Sequence, residues 1–204
     1  MITIVDYGVG NISAFVNVYK RLNIHVAIAR SADDLKKSSK VILPGVGAFD
    51  QAMKLLEQSG MRATLDQLAL ERRIPILGVC VGMQMLAHSS EEGNLPGLGW
   101  VEGQVRGFRS LVPESTLPFP HMGWNDVLPV SSNKLFDQLE SGARFYFLHS
   151  YYFHCDRGDD VLATSSYGAD FNCALNVNNI YGVQFHPEKS HHYGTRLLKN
   201  FAQL

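Results

Sequence analysis

The chain has 204 residues, of which 46% are hydrophobic, which is enough for one sizeable core but short for two. We therefore expect a single domain over residues 1–204. Only 18% of the residues are charged, the formal net charge is −1, and no stretch concentrates lysine or arginine. This composition argues against nucleic acid or a membrane surface as a partner. Three cysteines without C-x-x-C spacing, and an N-terminus without a basic leader, favour a reducing cytoplasm.

The first half of the chain alternates β-branched runs with helical patterns. Continuous apolar runs at 2–5, 26–29, 41–43 and 74–79 predict buried strands. A helix is predicted to begin after Asn11, a plausible N-cap. Further amphipathic helices are predicted between Phe49 and Leu70. Strands separated by helices indicate β-α-β units, and hence a parallel sheet with helices on both faces.

The pattern changes from Gly97 onward. Alternating polar and apolar residues predict antiparallel strands at 100–108, 145–148, 151–153, 161–163 and 173–177. Asn178-Asn179 is a turn signal before a strand at 180–185, and a final amphipathic helix carries Leu197, Leu198 and Phe201. The predicted fold class is α/β, with a central, mostly parallel sheet flanked by helices and an added antiparallel portion.

The pentapeptide at 78–82, Gly-Val-Cys-Val-Gly, places Cys80 between two glycines, after a predicted strand and before a helical pattern. A sharp strand-to-helix turn of this kind holds a nucleophile in a strained conformation and points it at the amides of the next helix. Those amides favour a thiolate over a thiol. A buried structural cysteine is the competing interpretation. Cys155 and Cys173 lie in alternating strands without flanking glycines, so packing explains them better.

A cysteine nucleophile needs a base, and His186 is the best-placed histidine. It follows the predicted strand at 180–185 directly and stands in a His-Pro-Glu sequence. Pro187 interrupts the strand, and Glu188 can return to bind the second ring nitrogen, which gives the order nucleophile, base and orienting carboxylate. Taken alone, a solvated histidine beside a surface glutamate is the simpler interpretation. The presence of Cys80 in the same chain reverses that preference.

Three other features bear on ligand binding. The turn Pro-Gly-Val-Gly at 44–47 lets backbone amides approach a substrate, as an oxyanion hole requires. A loop without a function between a strand and a helix would have the same sequence pattern. Gly8 and Gly10 follow a strand but lack the third glycine of a dinucleotide site. His191 and His192 are adjacent, so they would point apart on a helix. We therefore predict no cofactor and no metal.

Three of these segments together resemble the class I (triad) glutamine amidotransferases. They are residues 44–47, 78–84 and 185–188. Segments 6–11, 121–125, 149–151 and 188–190 are further similar to the branch of that family that serves histidine biosynthesis. The resemblance covers essentially the whole chain, in order and without a large insertion. It implies the fold of that family and a glutaminase activity.

The resemblance also implies roles for individual residues. Cys80 would attack the side-chain amide of glutamine, forming a γ-glutamyl thioester and releasing ammonia. His186 would transfer the proton and then activate water, and Glu188 would orient His186. No cofactor is implied. The implied oxyanion hole consists of Gly45, Val46, Gly47 and Val81, and the implied substrate-binding residues are Gln84, Ser150 and Tyr151.

In this branch the ammonia passes to a (β/α)₈-barrel cyclase subunit within a heterodimer. Seven residues resemble family positions at that interface or at the mouth of the ammonia tunnel: Asn11, His121, Met122, Gly123, Trp124, Asn125 and Lys189. Simpler interpretations remain for three of them, namely a helix cap for Asn11, a core aromatic for Trp124 and a solvated charge for Lys189.

Other functions remain open at this point. A paralogue could supply ammonia to a different synthase, such as one that amidates a sugar in surface-polysaccharide assembly. The segment 117–120, Leu-Pro-Phe-Pro, lacks an expected basic residue, and residues 165–179 are rich in asparagine and serine, which mildly favours that alternative. A non-catalytic scaffold and a stand-alone cysteine hydrolase are the remaining alternatives. The intact triad argues against the scaffold, and the interface-like segment 121–125 against the hydrolase.

Overall fold

The structure is a computed structural model that describes residues 1–114 and 116–204. The strands are β1 (Ile2–Val5), β2 (Val26–Ala29), β3 (Lys40–Gly45), β4 (Ile76–Cys80), β5 (Ser89–Ser90), β6 (Gly103–Gly107), β7 (His121–Asp126), β8 (Leu128–Pro129), β9 (Arg144–His149), β10 (Tyr151–Cys155), β11 (Val161–Ser166), β12 (Asp170–Val177) and β13 (Ile180–Val183). The helices are α1 (Ile12–Arg21), α2 (Ala32–Leu35), α3 (Phe49–Gln58), α4 (Arg62–Asp66), α5 (Val81–Gln84), α6 (Phe108–Leu111) and α7 (His191–Gln203).

The largest sheet in this described part has eight strands in the order β2-β1-β3-β4-β13-β12-β11-β8. Strands β2, β1, β3, β4 and β13 are parallel to one another, and β12, β11 and β8 extend the sheet from β13 by antiparallel pairing. Cys80 pairs in register with Gly45, and Val183 pairs with Val79. The carboxyl ends of β3, β4 and β13 therefore meet at one edge, where ligands bind in open α/β sheets.

The predicted α/β class with a mostly parallel sheet is confirmed, but the antiparallel portion is divided. Part of it extends the main sheet, β6 pairs antiparallel with β10 and parallel with β5, and β7 pairs antiparallel with β9. The β7 strand was not predicted as a strand. Its register places His121 opposite His149 and Trp124 opposite Tyr146, so segment 121–125 lies beside residues 145–149 and meets segment 149–151 at His121.

Several predicted boundaries shift for local reasons. The strand predicted at 100–108 spans only Gly103–Gly107, because the amides of Trp100 and Val101 both donate to the Leu86 carbonyl rather than to a strand partner. The strand predicted at 74–79 begins at residue 76 and includes Cys80. An amphipathic helix is predicted to carry Leu65, Leu68 and Leu70 together, but Leu70 is 51% exposed, because α4 continues as a π-helical turn that changes the helical phase.

Two helix starts also differ from expectation. Asn11 occupies the N-cap position of α1, but its side chain makes no capping hydrogen bond. The short helix α2 was not predicted, although Ser31 and Asp34 form a complete capping box at its start. Within the described residues, no helix is long and apolar enough to cross a membrane.

Candidate active site

Cys80 lies at the turn from β4 into α5 with φ 55° and ψ −115°, a conformation that L-residues rarely adopt. The neighbouring glycines make this turn possible. A Cβ added at Gly82 would lie 1.9 Å from the carbonyl oxygen of Leu43, and one at Gly78 would lie 2.6 Å from the carbonyl oxygen of Gly82. Backbone thus packs directly on backbone around the cysteine, as the G-x-C-x-G pattern predicts.

The imidazole of His186 is held in one orientation by its surroundings. Nδ1 lies 2.9 Å from Glu188 Oε1, and the two side chains are 4% and 1% exposed. Ser190 Oγ donates to the His186 carbonyl at 2.6 Å and accepts from the Tyr146 amide at 3.0 Å. Nδ1–H donates to the Glu188 carboxylate, so Nε2 is the nitrogen left to face Cys80.

Opposing influences act on the pKa of His186. Burial alone lowers it, but the hydrogen bonds and charges of Cys80 and Glu188 outweigh burial and raise the pKa above its usual range. The arrangement therefore favours a protonated imidazole, which can give a proton to a leaving group beside the Cys80 nucleophile. By contrast, burial raises the pKa of Cys155 to about 12 and raises that of Cys173 further, so neither supplies a thiolate at neutral pH.

A cavity of about 290 Å³ opens over Cys80 and His186. Its walls include most of the residues predicted to hold substrate or oxyanion: Val46, Gly47, Val81, Gln84, Ser150 and Tyr151. Gly45, the remaining predicted residue, is not part of the cavity wall. An added Cβ there would lie 2.4 Å from the Gly82 nitrogen. Its observed contact is therefore with the α5 backbone. The oxyanion hole itself stays a prediction.

The cavity also contains residues that the sequence did not single out. Glu92 is the most informative, because it brings a carboxylate to the wall and its Oε2 accepts from the Phe49 amide at 2.9 Å. Burial raises the pKa of Glu92, the Phe49 hydrogen bond opposes this, and nearby Asp50 adds to it. In sequence Glu92 is one of two adjacent glutamates in a loop, so no local pattern distinguishes it. Only the fold brings it to the cavity.

The seven predicted interface residues separate into two groups. Asn11, Met122, Trp124 and Lys189 are exposed, and the Trp124 ring stacks on His191 with the centroids 5.3 Å apart. Trp124 is 39% exposed, so it is not a core aromatic. His121 is only 3% exposed, and its side chain therefore has almost no surface to offer a partner. Asn125 turns inward to the His121 ring, and Gly123 is half-buried.

Residues 3–204 match the family model described as glutamine amidotransferase class-I. The chain belongs to the class I glutamine amidotransferases. It is 59% identical to imidazole glycerol phosphate synthase subunit HisH of Bdellovibrio bacteriovorus, and 53% identical to the subunit of that name from Leptospira interrogans. Both alignments cover all of this chain and all of the relative.

Solved structures show the same amidotransferase fold at low sequence identity. The structure of PurLQS from Thermotoga maritima matches 99% of this chain and 97% of its own with a TM-score of 0.73 at 16% identity. A glutamine amidotransferase from the same organism matches 99% of this chain and 82% of its own chain, with a TM-score of 0.64 at 20% identity. Membership of the family confirms the predicted enzyme class, a glutamine amidotransferase. The roles of individual residues rest on the geometry described above.

Proposed function

We propose that the chain is the glutaminase subunit of imidazole glycerol phosphate synthase and supplies ammonia for a step of histidine biosynthesis. The observation that carries the chemistry is the buried His186–Glu188 pair at 2.9 Å beside the strained Cys80. The relatives with that subunit name, matched over their whole length, support the choice of synthase. Three free cysteines are in keeping with a reducing cytoplasm as its location.

The proposed reaction proceeds in two stages. In the first, the Cys80 thiolate attacks the side-chain amide carbon of glutamine, and the oxyanion forms beside the Val81 amide. The protonated His186 gives its Nε2 proton to the leaving nitrogen, so ammonia departs and a γ-glutamyl thioester remains. In the second, neutral His186 takes a proton from water, which attacks the thioester. Glutamate is released and the sulfur leaves as thiolate beside a protonated imidazole.

The amino-acid end of glutamine carries an ammonium group, and the cavity wall offers two acceptors for it. Gln84 Nε2 donates to the Tyr151 carbonyl and to Gln184 Oε1, each at 3.1 Å. Both of its N–H groups are thereby used, which leaves Oε1 of Gln84 as an acceptor in the cavity wall. Glu92 supplies a carboxylate in the same cavity. Ser150 and Tyr151 complete the proposed substrate-binding residues.

The proposed partner docks over the mouth of this cavity. Two cavity-lining residues, Val46 and Leu148, are each 37% exposed, while Met122 is 65% and Trp124 39% exposed on the neighbouring β7 strand. Exposed apolar residues grouped beside a cavity are typical of a protein interface. We propose that a (β/α)₈-barrel cyclase subunit covers them in a heterodimer and receives the ammonia, with Asn11 and Lys189 at the edge of the contact.

The proposal is tested with the purified two-subunit complex. Cys80→Ala should abolish synthesis with glutamine and leave synthesis with added ammonium salts at its normal rate. Cys155→Ala removes a similarly buried thiol away from the cavity and should leave both rates unchanged. Loss of both activities in Cys80→Ala would show that the cysteine is structural and would refute its role as nucleophile.

The alternative recipient is the synthase of another pathway, such as one that amidates a sugar. The absence of a basic residue in segment 117–120 is the observation that favours it. Introduction of the gene into a histidine auxotroph that lacks its own glutaminase subunit distinguishes the two. Growth without histidine supports the first recipient. Failure to grow, combined with glutaminase activity alongside another purified synthase, would establish the second.

A further inference from the structure

Gln184 is a fully buried polar residue that lies against the nucleophile. Its Nε2 donates to Cys80 Sγ at 3.7 Å, and its Oε1 accepts from Gln84 Nε2 at 3.1 Å. It stands between β13 and His186 on the segment that delivers the base. Because Gln184 touches the reacting sulfur, its donor is placed to act on the chemistry itself.

The orientation of the Gln184 amide can be derived from the Tyr151 carbonyl oxygen, which can only accept hydrogen bonds. The Tyr151 carbonyl oxygen receives a hydrogen bond from Gln84 Nε2, so the NH₂ end of Gln84 must face it. The second hydrogen of that NH₂ group then points to Gln184 Oε1. With its oxygen occupied in this way, Gln184 can present only its NH₂ group to Cys80. The sulfur therefore faces a donor, which favours its negatively charged form.

A second line of hydrogen bonds ends on the same carbonyl. His149 Nδ1 lies 2.9 Å from the Tyr151 oxygen and so carries its proton there. His149 Nε2 is then an acceptor, and His121 Nδ1, 2.9 Å away, must donate to it. His121 Nε2 in turn accepts from Asn125 Nδ2 at 3.2 Å. Both rings are neutral in this arrangement, and burial lowers the pKa of His121 to about 4 and that of His149 to about 3.

We propose that Gln184 is a further catalytic residue that stabilises the thiolate of Cys80, and that Tyr151, His149 and His121 act as positioning residues for it through Gln84. The path of hydrogen bonds begins at Asn125 on β7 and ends at the sulfur. Stabilisation acts where the sulfur is charged, before attack on glutamine and again when it leaves the thioester. The inference rests on the proposed function for its reaction, but the hydrogen bond to sulfur does not depend on which synthase takes the ammonia.

The test replaces the amide by a group of similar length that has no donor. In Gln184→Met, alkylation of Cys80 by iodoacetamide at pH 7 should slow about tenfold or more, because a hydrogen bond to a charged group is lost. The kcat for glutamine hydrolysis should fall in parallel. Mass spectrometry of the Cys80 peptide separates this thiol from Cys155 and Cys173. Thermal unfolding and circular dichroism of the same sample establish that the variant is folded.

Two changes at His149 test the positioning part of the proposal. Asparagine places an NH₂ group near the position of Nδ1 and can still donate to the Tyr151 carbonyl, whereas leucine cannot. We expect His149→Leu to slow Cys80 alkylation and raise the KM for glutamine, and His149→Asn to restore both in large part. Equal losses in the two variants would reduce His149 to a packing residue and overturn its positioning role.

An unchanged alkylation rate in folded Gln184→Met would overturn the role of Gln184. If Gln184→Met does not fold, the leucine and asparagine variants at His149 decide the proposal through the same alkylation rate. These readouts are also separate from the proposed function. Slower alkylation in Gln184→Met, together with glutamine-dependent synthesis that survives Cys80→Ala, would leave the hydrogen bond standing and refute only the assigned reaction.

Discussion

The turn at Cys80 and the β7–β9 sheet border the same cavity, but they are built in opposite ways. At the turn, glycines allow backbone to pack on backbone, and the nucleophile is only 5% exposed. On β7, side chains alternate between buried and exposed, and the exposed ones include Met122 and Trp124. The turn is therefore fully packed by residues of its own chain. The β7 face presents apolar surface that a second protein would cover.

The largest effect we expect comes from closing the space that the turn requires. In Gly82→Ala the new Cβ would meet the Leu43 carbonyl oxygen at 1.9 Å, so α5 must move away from β3. The free energy of unfolding should fall by about 3 kcal/mol, at the upper end for an overpacked core, and glutaminase activity should be lost. Chemical denaturation followed by circular dichroism measures the change in stability.

Gly158→Ala is the matched control for this substitution. An added Cβ there has nothing within 4 Å, and the backbone is not in the left-handed region. Its unfolding free energy should stay within about 0.5 kcal/mol of the parent protein. Similar values for the two variants would contradict the view that close backbone packing, rather than general glycine content, maintains the strained turn.

The next effect concerns charge at the site rather than space. Glu188→Gln keeps the size of the side chain and an acceptor for His186 Nδ1, but removes the negative charge that stabilises the imidazolium. By analogy with other triads, kcat for glutamine hydrolysis should fall on the order of 10³-fold to 10⁴-fold. Steady-state kinetics of the two-subunit complex measures it. A fall of less than tenfold would show that Glu188 has little part in orienting the base.

The raised pKa of His186 also predicts that the stability difference between the parent protein and Glu188→Gln depends on pH. Because the folded-state pKa of His186 is raised, its protonated form stabilises the fold fully below about pH 6.5. That contribution is lost as the pH rises through the folded-state pKa. The stability gap between the parent and Glu188→Gln should therefore be larger at pH 6 than at high alkaline pH, as measured by denaturation at both. A gap that widens as the pH rises would contradict the assigned charge state.

The difference between the two regions also explains what could be predicted from the sequence. The nucleophile turn could be predicted from five consecutive residues, because the strand end, the glycines and the helix start are adjacent in sequence. The His186–Glu188 pair is nearly as local. Gln184 lies beside that pair, yet its contact with Cys80 depends on β13 lying next to β4, which no short pattern encodes. Glu92 likewise reaches the cavity only through the path of its loop.

Segment 121–125 shows more clearly what could not be predicted from the sequence. The resemblance placed all five residues at an interface, but strand alternation sends His121 and Asn125 inward and Met122 and Trp124 outward. A two-residue period would have separated them if the segment had been recognised as a strand. Gly123 within it weakens the pattern, and the partner strand β9 is distant in sequence. Pairing between remote strands therefore decides which residues face the surface.

The smallest effect we expect belongs to the exposed face and leaves the fold intact. Met122→Ser removes an apolar side chain that is 65% exposed, so the free energy of unfolding should change by no more than about 0.5 kcal/mol. Affinity for the synthase partner should fall about tenfold, as for a contact residue of moderate importance. Leu128→Ser is the control, because Leu128 is 60% exposed but lies on β8, at the edge of the main sheet. Titration calorimetry of both variants against the partner measures the two affinities. Equal affinities would place the interface elsewhere and leave the exposed residues of β7 without their proposed role.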